Sequence, residues 1–400
     1  MKTITDVKGF KFWGAHTGVK SKRRDLALIY SEKPASVASV YTRNLVVAES
    51  IKLCRERKNP GIAQAIVVNS GNANACTGKQ GKEGAIAVVK AAAKAMEVPE
   101  EYVLLASTGV IGRTFPTDKI VAGVRENTRK LTNQRVAASL ISNAILTTDT
   151  FPKEHFLEFK INGKNVSMGG IAKGSGMIHP NMGTMLAFIV SDVAIVPELL
   201  HKALKEVVDQ TFNMITVDGD TSTNDMVSVL CNGEAGNAEI NTENAQYKKF
   251  KDALLKTCMS LARLIVADGE GSTKFIEYQV INAESIAGAR KIIRTVSDSS
   301  LVKTAIFGRD PNWGRILAAA GRAGVDFDPD KADLYMGARN MIQLVKNGQP
   351  MEQNLTRLKK MMRSTHIKIM LDIHTGDQSA TGWGSDFSYE YVRINAEYTT

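Results

Sequence analysis

Short apolar runs of strand length alternate along this 400-residue chain with longer amphipathic segments, and no other feature restricts its fold as much. An element with one apolar face must bury it against another layer, so intermixed strands and helices predict a layered α/β or α+β architecture. DLALIY at 25–30, AIVVN at 65–69, MLAFIV at 185–190 and MVSVL at 226–230 have the length and branching of strands. The Ala-rich stretch 81–97 reads as a helix that Pro99 stops. Over 246–266, Phe250, Leu254, Cys258, Leu261 and Ile265 recur at three- and four-residue steps, which puts them on one buried stripe of a helix. A further helix is expected over 283–296. At roughly 150 residues per domain the length suggests two or three domains. No repeat or low-complexity linker marks a boundary.

Composition narrows the class. With 44% hydrophobic and 23% charged residues the chain is neither disordered nor fibrous. Cys54, Cys76, Cys231 and Cys258 are too scattered for a disulfide framework, which points to a reducing, cytoplasmic setting. The opening residues hold no apolar signal region, and the longest apolar runs fall far short of a membrane span. The net charge of +10 suits nucleic acid or carboxylate substrates. Only KSKRR at 20–24 forms a tight basic cluster, and it reads as a solvated loop. No nucleic-acid partner is expected.

Glycines gather in GNANACTG at 71–78, STGVIG at 107–112, GGIAKGSGM at 169–177 and DGEGSTK at 268–274. Such clusters let backbone amides turn toward a ligand, and each also fits a plain tight loop. The first is not a phosphate loop, because six residues rather than four separate Gly71 from Gly78, and Gln80 stands where Ser or Thr would hold magnesium. Gly174 and Gly176 lack the third glycine of a dinucleotide fingerprint. The six histidines show no ligand spacing, and His374 beside Asp377 reads as a structural hydrogen-bonded pair, so no metal and no cofactor is expected. A G-x-S-x-G elbow is also absent from the sequence.

In IAKGSGMIHPNMGTMLAFIV at 171–190, Thr184 opens the apolar run directly after Gly183. If Thr184 became a chain terminus, its hydroxyl would carry its own base, since an α-amine has a pKa of about 7.7–8.0. Attack of Oγ on the Gly183 carbonyl would shift the acyl group from N to O, and hydrolysis of that ester would free the amine. A β-branched residue that simply begins a strand fits the same residues.

The segment KGSGMIHPNMGTML at 173–186 resembles the self-cleavage signature of the ornithine acetyltransferase family, also called the glutamate N-acetyltransferase or ArgJ family. NSGNANACTG at 69–78, STGVIG at 107–112, TTDTFPK at 147–153, DGEGSTK at 268–274 and GRDPNWGRI at 308–316 resemble family segments in the same order, through to the terminal INAEYTT. One departure is Gly183, where the family usually carries Ala. Glycine is as small, so access for Oγ is kept. Its freer backbone relaxes strain, and slower cleavage is expected.

The resemblance implies a four-layer αββα sandwich of the ArgJ/DmpA type, similar to N-terminal-nucleophile hydrolases but differently connected. Cleavage would give fragments 1–183 and 184–400, with a smaller C-terminal subdomain over 283–400, assembled as an α2β2 heterotetramer. The implied reaction is arginine-biosynthetic: N2-acetyl-L-ornithine acetylates the nucleophile Thr184, and L-glutamate takes the acetyl group. Acetyl-CoA is a second candidate donor. Thr108 and Gly109 match the family's oxyanion hole, Lys173 its carboxylate-binding lysine and Glu270 its substrate glutamate. Thr147, Asn395 and Thr400 match further substrate contacts. A self-processing threonine amidase or aminopeptidase, with water as acceptor, is the competing reading, and a basic nucleic-acid-binding protein is a more distant one.

Overall fold

The computed structural model describes residues 2–179 and 185–397. In chain order its strands are β1 (Phe10–Ala15), β2 (Leu26–Tyr41), β3 (Ile62–Asn72), β4 (Val103–Val110), β5 (Lys153–Ile161), β6 (Lys164–Lys173), β7 (Leu186–Ser191) and β8 (Ile215–Thr216). They continue as β9 (Met226–Cys231), β10 (Phe275–Ala283), β11 (Asp333–Gly337), β12 (Met341–Lys346), β13 (Gln349–Pro350), β14 (His366–Asp372) and β15 (Gln378–Ser385). One mixed sheet runs β4-β3-β2-β9-β7-β6-β5, with β1 paired to β2, and the other runs β13-β12-β11-β14-β10-β15-β8. Helices pack on both, and the result is the α/β sandwich that the alternation of runs predicts.

The strand β7 shows why MLAFIV is apolar without alternation. It lies between β6, antiparallel to it, and β9, parallel to it. Ala187 and Ile189 enter one core, and Leu186, Phe188 and Val190 enter another on the opposite face. A strand buried on both faces needs no polar side. The register sets Leu186 opposite Lys173 of β6 and opposite Met226 of β9, so the residues flanking this end of β7 are fixed by backbone pairing.

The helix Ala245–Ala267 links the two sheets. Asn244 caps it by accepting from the Gln246 and Tyr247 amides. Phe250, Leu254, Cys258, Leu261 and Ile265 are fully buried on its inner stripe. It packs on β5 and β6 of the first sheet and reaches β15 and β8 of the second, within one continuous core. It ends at Asp268, whose carboxylate faces the site described below.

Three boundaries differ from expectation. The helix Gly78–Met96 is ended by Glu97 in a left-handed conformation (φ 55°), and Pro99 only opens the following turn. Residues 275–283 form a strand, and Ser285 caps the helix Ile286–Ser297 by accepting from the Gly288 amide. The strand expected over 25–30 continues to Tyr41, across a register shift between Tyr30 and Ala35. Among the described residues no helix is long and apolar enough to cross a membrane.

The inner stripe makes a direct prediction. Leu261→Ala should lower unfolding free energy by about 2–5 kcal/mol in urea titrations. Leu301→Ala, at a position 61% exposed, should cost under about 0.5 kcal/mol. Equal costs would contradict the assignment of the helix face.

Candidate active site

Three loops meet around one buried ammonium. Lys153 opens β5 with its side chain wholly enclosed, and its Nζ donates to Asp149 Oδ1 at 2.7 Å and to Asp268 Oδ2 at 2.5 Å. Asp149 also accepts from the Gly174 amide at 2.7 Å and the Thr147 amide at 2.9 Å. Asp268 accepts from the Thr150 amide at 3.0 Å, and its carbonyl takes the Ser175 hydroxyl at 2.6 Å. The Ser175 carbonyl in turn accepts from the Glu270 amide at 3.0 Å. Burial opposes ionisation of Asp149, but the Lys173 and Lys153 charges prevail and hold it well below the usual carboxylate range.

The same loops line a cavity of about 180 Å³. Thr108, Gly109, Thr147, Lys173, Glu270 and Asn395 all face it, although they come from β4, β6, two loops and the C-terminal helix Tyr389–Glu397. Met185, the residue after Thr184, also lines it, and its carbonyl is fixed by the Met226 amide at 3.0 Å. Lys173 Nζ donates to Thr108 Oγ1 at 3.4 Å, which leaves the threonine's own hydrogen free to point at a ligand. Gly109 has φ 131°, and a Cβ there would lie 2.4 Å from the Gly71 carbonyl carbon, so only glycine brings this amide to the cavity. Asn395 donates to Glu270 Oε2 at 3.0 Å and braces the carboxylate. A Cβ on Gly176 would lie 2.3 Å from that carboxylate. The cavity thus offers a cation, an anion and hydrogen-bond donors within a small volume, which suits a zwitterionic ligand. Thr184, Gly183 and Thr400 lie outside the described residues.

Sequence reading missed several supporting groups. Asp149, Lys153 and Asp268 carry no local signal in the sequence that shows they would meet. Asn224 donates to the Ala73 carbonyl at 2.6 Å and the Ser107 carbonyl at 2.8 Å, tying the start of β9 to the Thr108–Gly109 segment. Asp225 lines the cavity while only 3% exposed, and its Oδ2 has no hydrogen-bond partner among the described residues. Burial raises its carboxyl well above the usual range, although Lys173 pulls the other way. His179, just before the cleavage segment, lies 3.0 Å by Nδ1 from Asp298 Oδ2, and Arg294 Nη2 is 2.9 Å from its Nε2. His374 lies beside Asp333 and Asp372 rather than Asp377, because β11 and β14 pair there. Among the described residues no group of three or more His, Cys, Asp or Glu is gathered as for a metal ion.

A family model described as the ArgJ family matches residues 11–400. The "Arginine biosynthesis bifunctional protein ArgJ" of Symbiobacterium thermophilum is 46% identical over 400 residues, covering 99% of this chain and 98% of its own. The protein of the same name from Listeria monocytogenes serotype 4b is 48% identical over 398 residues, covering 99% of this chain and 98% of its own. Among solved structures, the arginine biosynthesis bifunctional protein ArgJ of Bacillus halodurans is 39% identical with a TM-score of 0.50, covering 52% of this chain and 96% of that one.

The upward push that burial gives the Asp225 carboxyl has a consequence for stability. The unfolded chain releases this proton above a pKa of about 3.9, whereas the folded chain keeps it to a higher pH, so stability falls as pH rises between the two values. Asp225→Asn does not titrate. Its stability relative to the parent should therefore be more favourable at about pH 7.5 than at about pH 4.5 in urea unfolding. The same difference at both pH values would mean that Asp225 is ionised in the fold.

Proposed function

The chain belongs to the ArgJ family, and from that premise we propose that it transfers acetyl from N2-acetyl-L-ornithine to L-glutamate by ping-pong through an ester on Thr184. The observation that carries this reading is the convergence of Thr108, Gly109, Lys173 and Glu270 on one cavity that Met185 also lines. Maturation comes first. Thr184 Oγ adds to the Gly183 carbonyl, the peptide C–N bond breaks, and water hydrolyses the resulting ester to leave Gly183 with a carboxylate and Thr184 with a free amine. The two fragments stay together because β7 is paired on one side with β6 of the first fragment and on the other with β9 of the second. The Bacillus halodurans chain, matched over 96% of its length by 52% of this one, has the size of one such fragment.

In the first half-reaction the Thr184 amine takes the hydroxyl proton as Oγ adds to the acetyl carbonyl. The C–N bond to ornithine then breaks, the proton passes to the leaving amine, and an acetyl ester remains. In the second, the glutamate amine adds to that ester and Oγ leaves with the proton. Each tetrahedral oxyanion meets the Thr108 hydroxyl and the Gly109 amide, donors placed where charge develops. Lys173 takes the substrate α-carboxylate. Glu270, with one oxygen held by Asn395, takes the ornithine side-chain ammonium. Acetyl-CoA is a second donor in this scheme, discharging its acetyl group onto the same hydroxyl with loss of the thiol. The relatives' printed description as bifunctional supports it. Two copies of each fragment form the proposed α2β2 assembly.

The test uses N-acetylornithine labelled in the acetyl group. Label should appear in N-acetylglutamate, with parallel-line initial-rate kinetics and little free acetate; acetate as the main product would favour the amidase reading. Thr108→Val should lower kcat by about 100- to 1,000-fold, as loss of one oxyanion donor does. An unchanged kcat would remove Thr108 from the mechanism.

A further inference from the structure

A second cavity, of about 960 Å³, adjoins the first, and Thr148 lines both. Trp13, His16, Lys22, Arg23, Arg24 and Lys130 face it, against a single acid, Asp149, whose carboxylate is engaged by the Lys153 ammonium and by the Thr147 and Gly174 amides. Lys22, Arg23 and Arg24 of the basic cluster KSKRR are exposed, as a solvated loop would be, and they also border this cavity. The cluster's backbone is organised from below by Asp25, which is wholly buried. That carboxylate accepts from the amides of Thr17 at 2.6 Å, Val19 at 2.9 Å and Lys20 at 3.0 Å, and from the Thr17 hydroxyl at 2.9 Å. Lys20 Nζ donates to the Leu146 carbonyl at 2.5 Å and the Arg24 carbonyl at 3.0 Å, which fastens the loop to the opposite wall. His16 Nδ1 lies 2.8 Å from the Arg23 carbonyl.

This scaffold spends its buried groups on backbone and leaves the outer cations exposed. Lys22 and Arg24 have no ion-pair partner among the described residues. The Arg23 guanidinium donates to the Thr147 carbonyl at 3.5 Å, on the segment that separates the two cavities. Like charges lining one cavity repel one another until an anion enters between them. One carboxylate would engage one or two of them. Engaging Lys22, Arg23, Arg24 and Lys130 together needs several negative oxygens on one ligand, and guanidinium and ammonium groups match phosphate oxygens in particular. Trp13 adds a planar apolar wall of the kind that a ring can lie against.

We propose that this cavity binds the clustered phosphates of a nucleotide-class ligand, and that in acyl transfer it seats the phosphorylated handle of a thioester donor whose acetyl group reaches the first cavity past Thr147–Thr148. The donor assignment rests on the acyl-transfer reading above; the phosphate site does not depend on it.

Calorimetric titration with adenosine 3′,5′-bisphosphate, which carries no acyl group, tests the site. The parent protein should bind it more weakly as salt is raised toward about 0.15 M. The double variant Lys22→Ala/Arg24→Ala should bind at least about tenfold more weakly, the effect of one lost charge-assisted hydrogen bond, with acetyl transfer from N-acetylornithine unchanged. Equal binding by parent and variant, or no binding up to about 10 mM, would overturn the site. Acetyl-CoA kinetics then identify the occupant. A raised KM for acetyl-CoA at unchanged kcat in the variant supports the donor's handle. An unchanged KM overturns that assignment and makes the occupant a separate phosphorylated effector on the same residues. Nucleotide binding that depends on Lys22 and Arg24 in a protein that transfers no acetyl group would sink the acyl-transfer reading while supporting the phosphate site.

Discussion

The Lys153 ammonium, enclosed between the carboxylates of Asp149 and Asp268, is the interaction on which the geometry of the site depends. The two carboxylates spend their remaining capacity on the backbone of two loops: Asp149 on Thr147 and Gly174, Asp268 on Thr150. Through those amides one buried cation sets the relative positions of Thr147, Lys173 and the segment that carries Glu270. Asp268 also ends the long helix Ala245–Ala267, where the helix dipole favours a cation, so the hub is anchored to the shared core of both sheets. Removing one member of such a group leaves an uncompensated buried charge, which costs about 3–5 kcal/mol. The arrangement is thus both a constraint on folding and the frame of the cavity.

Two carboxyl groups near the same cavity are driven to opposite states by their surroundings. Asp149 has Lys173, Lys153 and two amides to stabilise its charge, and it stays ionised. Asp225 has burial against it and one oxygen without a partner among the described residues, and it keeps its proton to a higher pH than an ordinary carboxyl. Lys173 acts on both and donates to Thr108 as well, so its ammonium is shared between organising the site and meeting a ligand. The neighbouring basic cavity repeats the same logic with the signs reversed, since a buried Asp25 holds a loop whose cations face outward.

Much of the fold was legible in the sequence because burial leaves a periodic trace. MLAFIV and MVSVL became the central strands β7 and β9, and the stripe from Phe250 to Ile265 became the buried face of the long helix. The six described site residues carried by the family resemblance, from Thr108 to Asn395, line one cavity. The Lys153 hub left no such trace, because its members lie 4 and 115 positions apart and the spacing of a non-local ion pair is set by sheet topology. Asp225 was hidden for the converse reason: a polar residue before an apolar run reads as a strand flank, and only the parallel pairing of β7 with β9 brings it to the cavity. Asn395 emerged through resemblance alone, since nothing in the composition of the C-terminal helix marks one side chain as facing Glu270.

The most direct test of the account is the mass of the purified protein under denaturing conditions after incubation with N-acetylornithine in the absence of glutamate. Two fragments divided between Gly183 and Thr184 are expected, with one acetyl group on the fragment that begins at Thr184 and its loss once glutamate is added. A single intact chain that still exchanges acetyl groups, or active fragments that never carry acetyl, would contradict it.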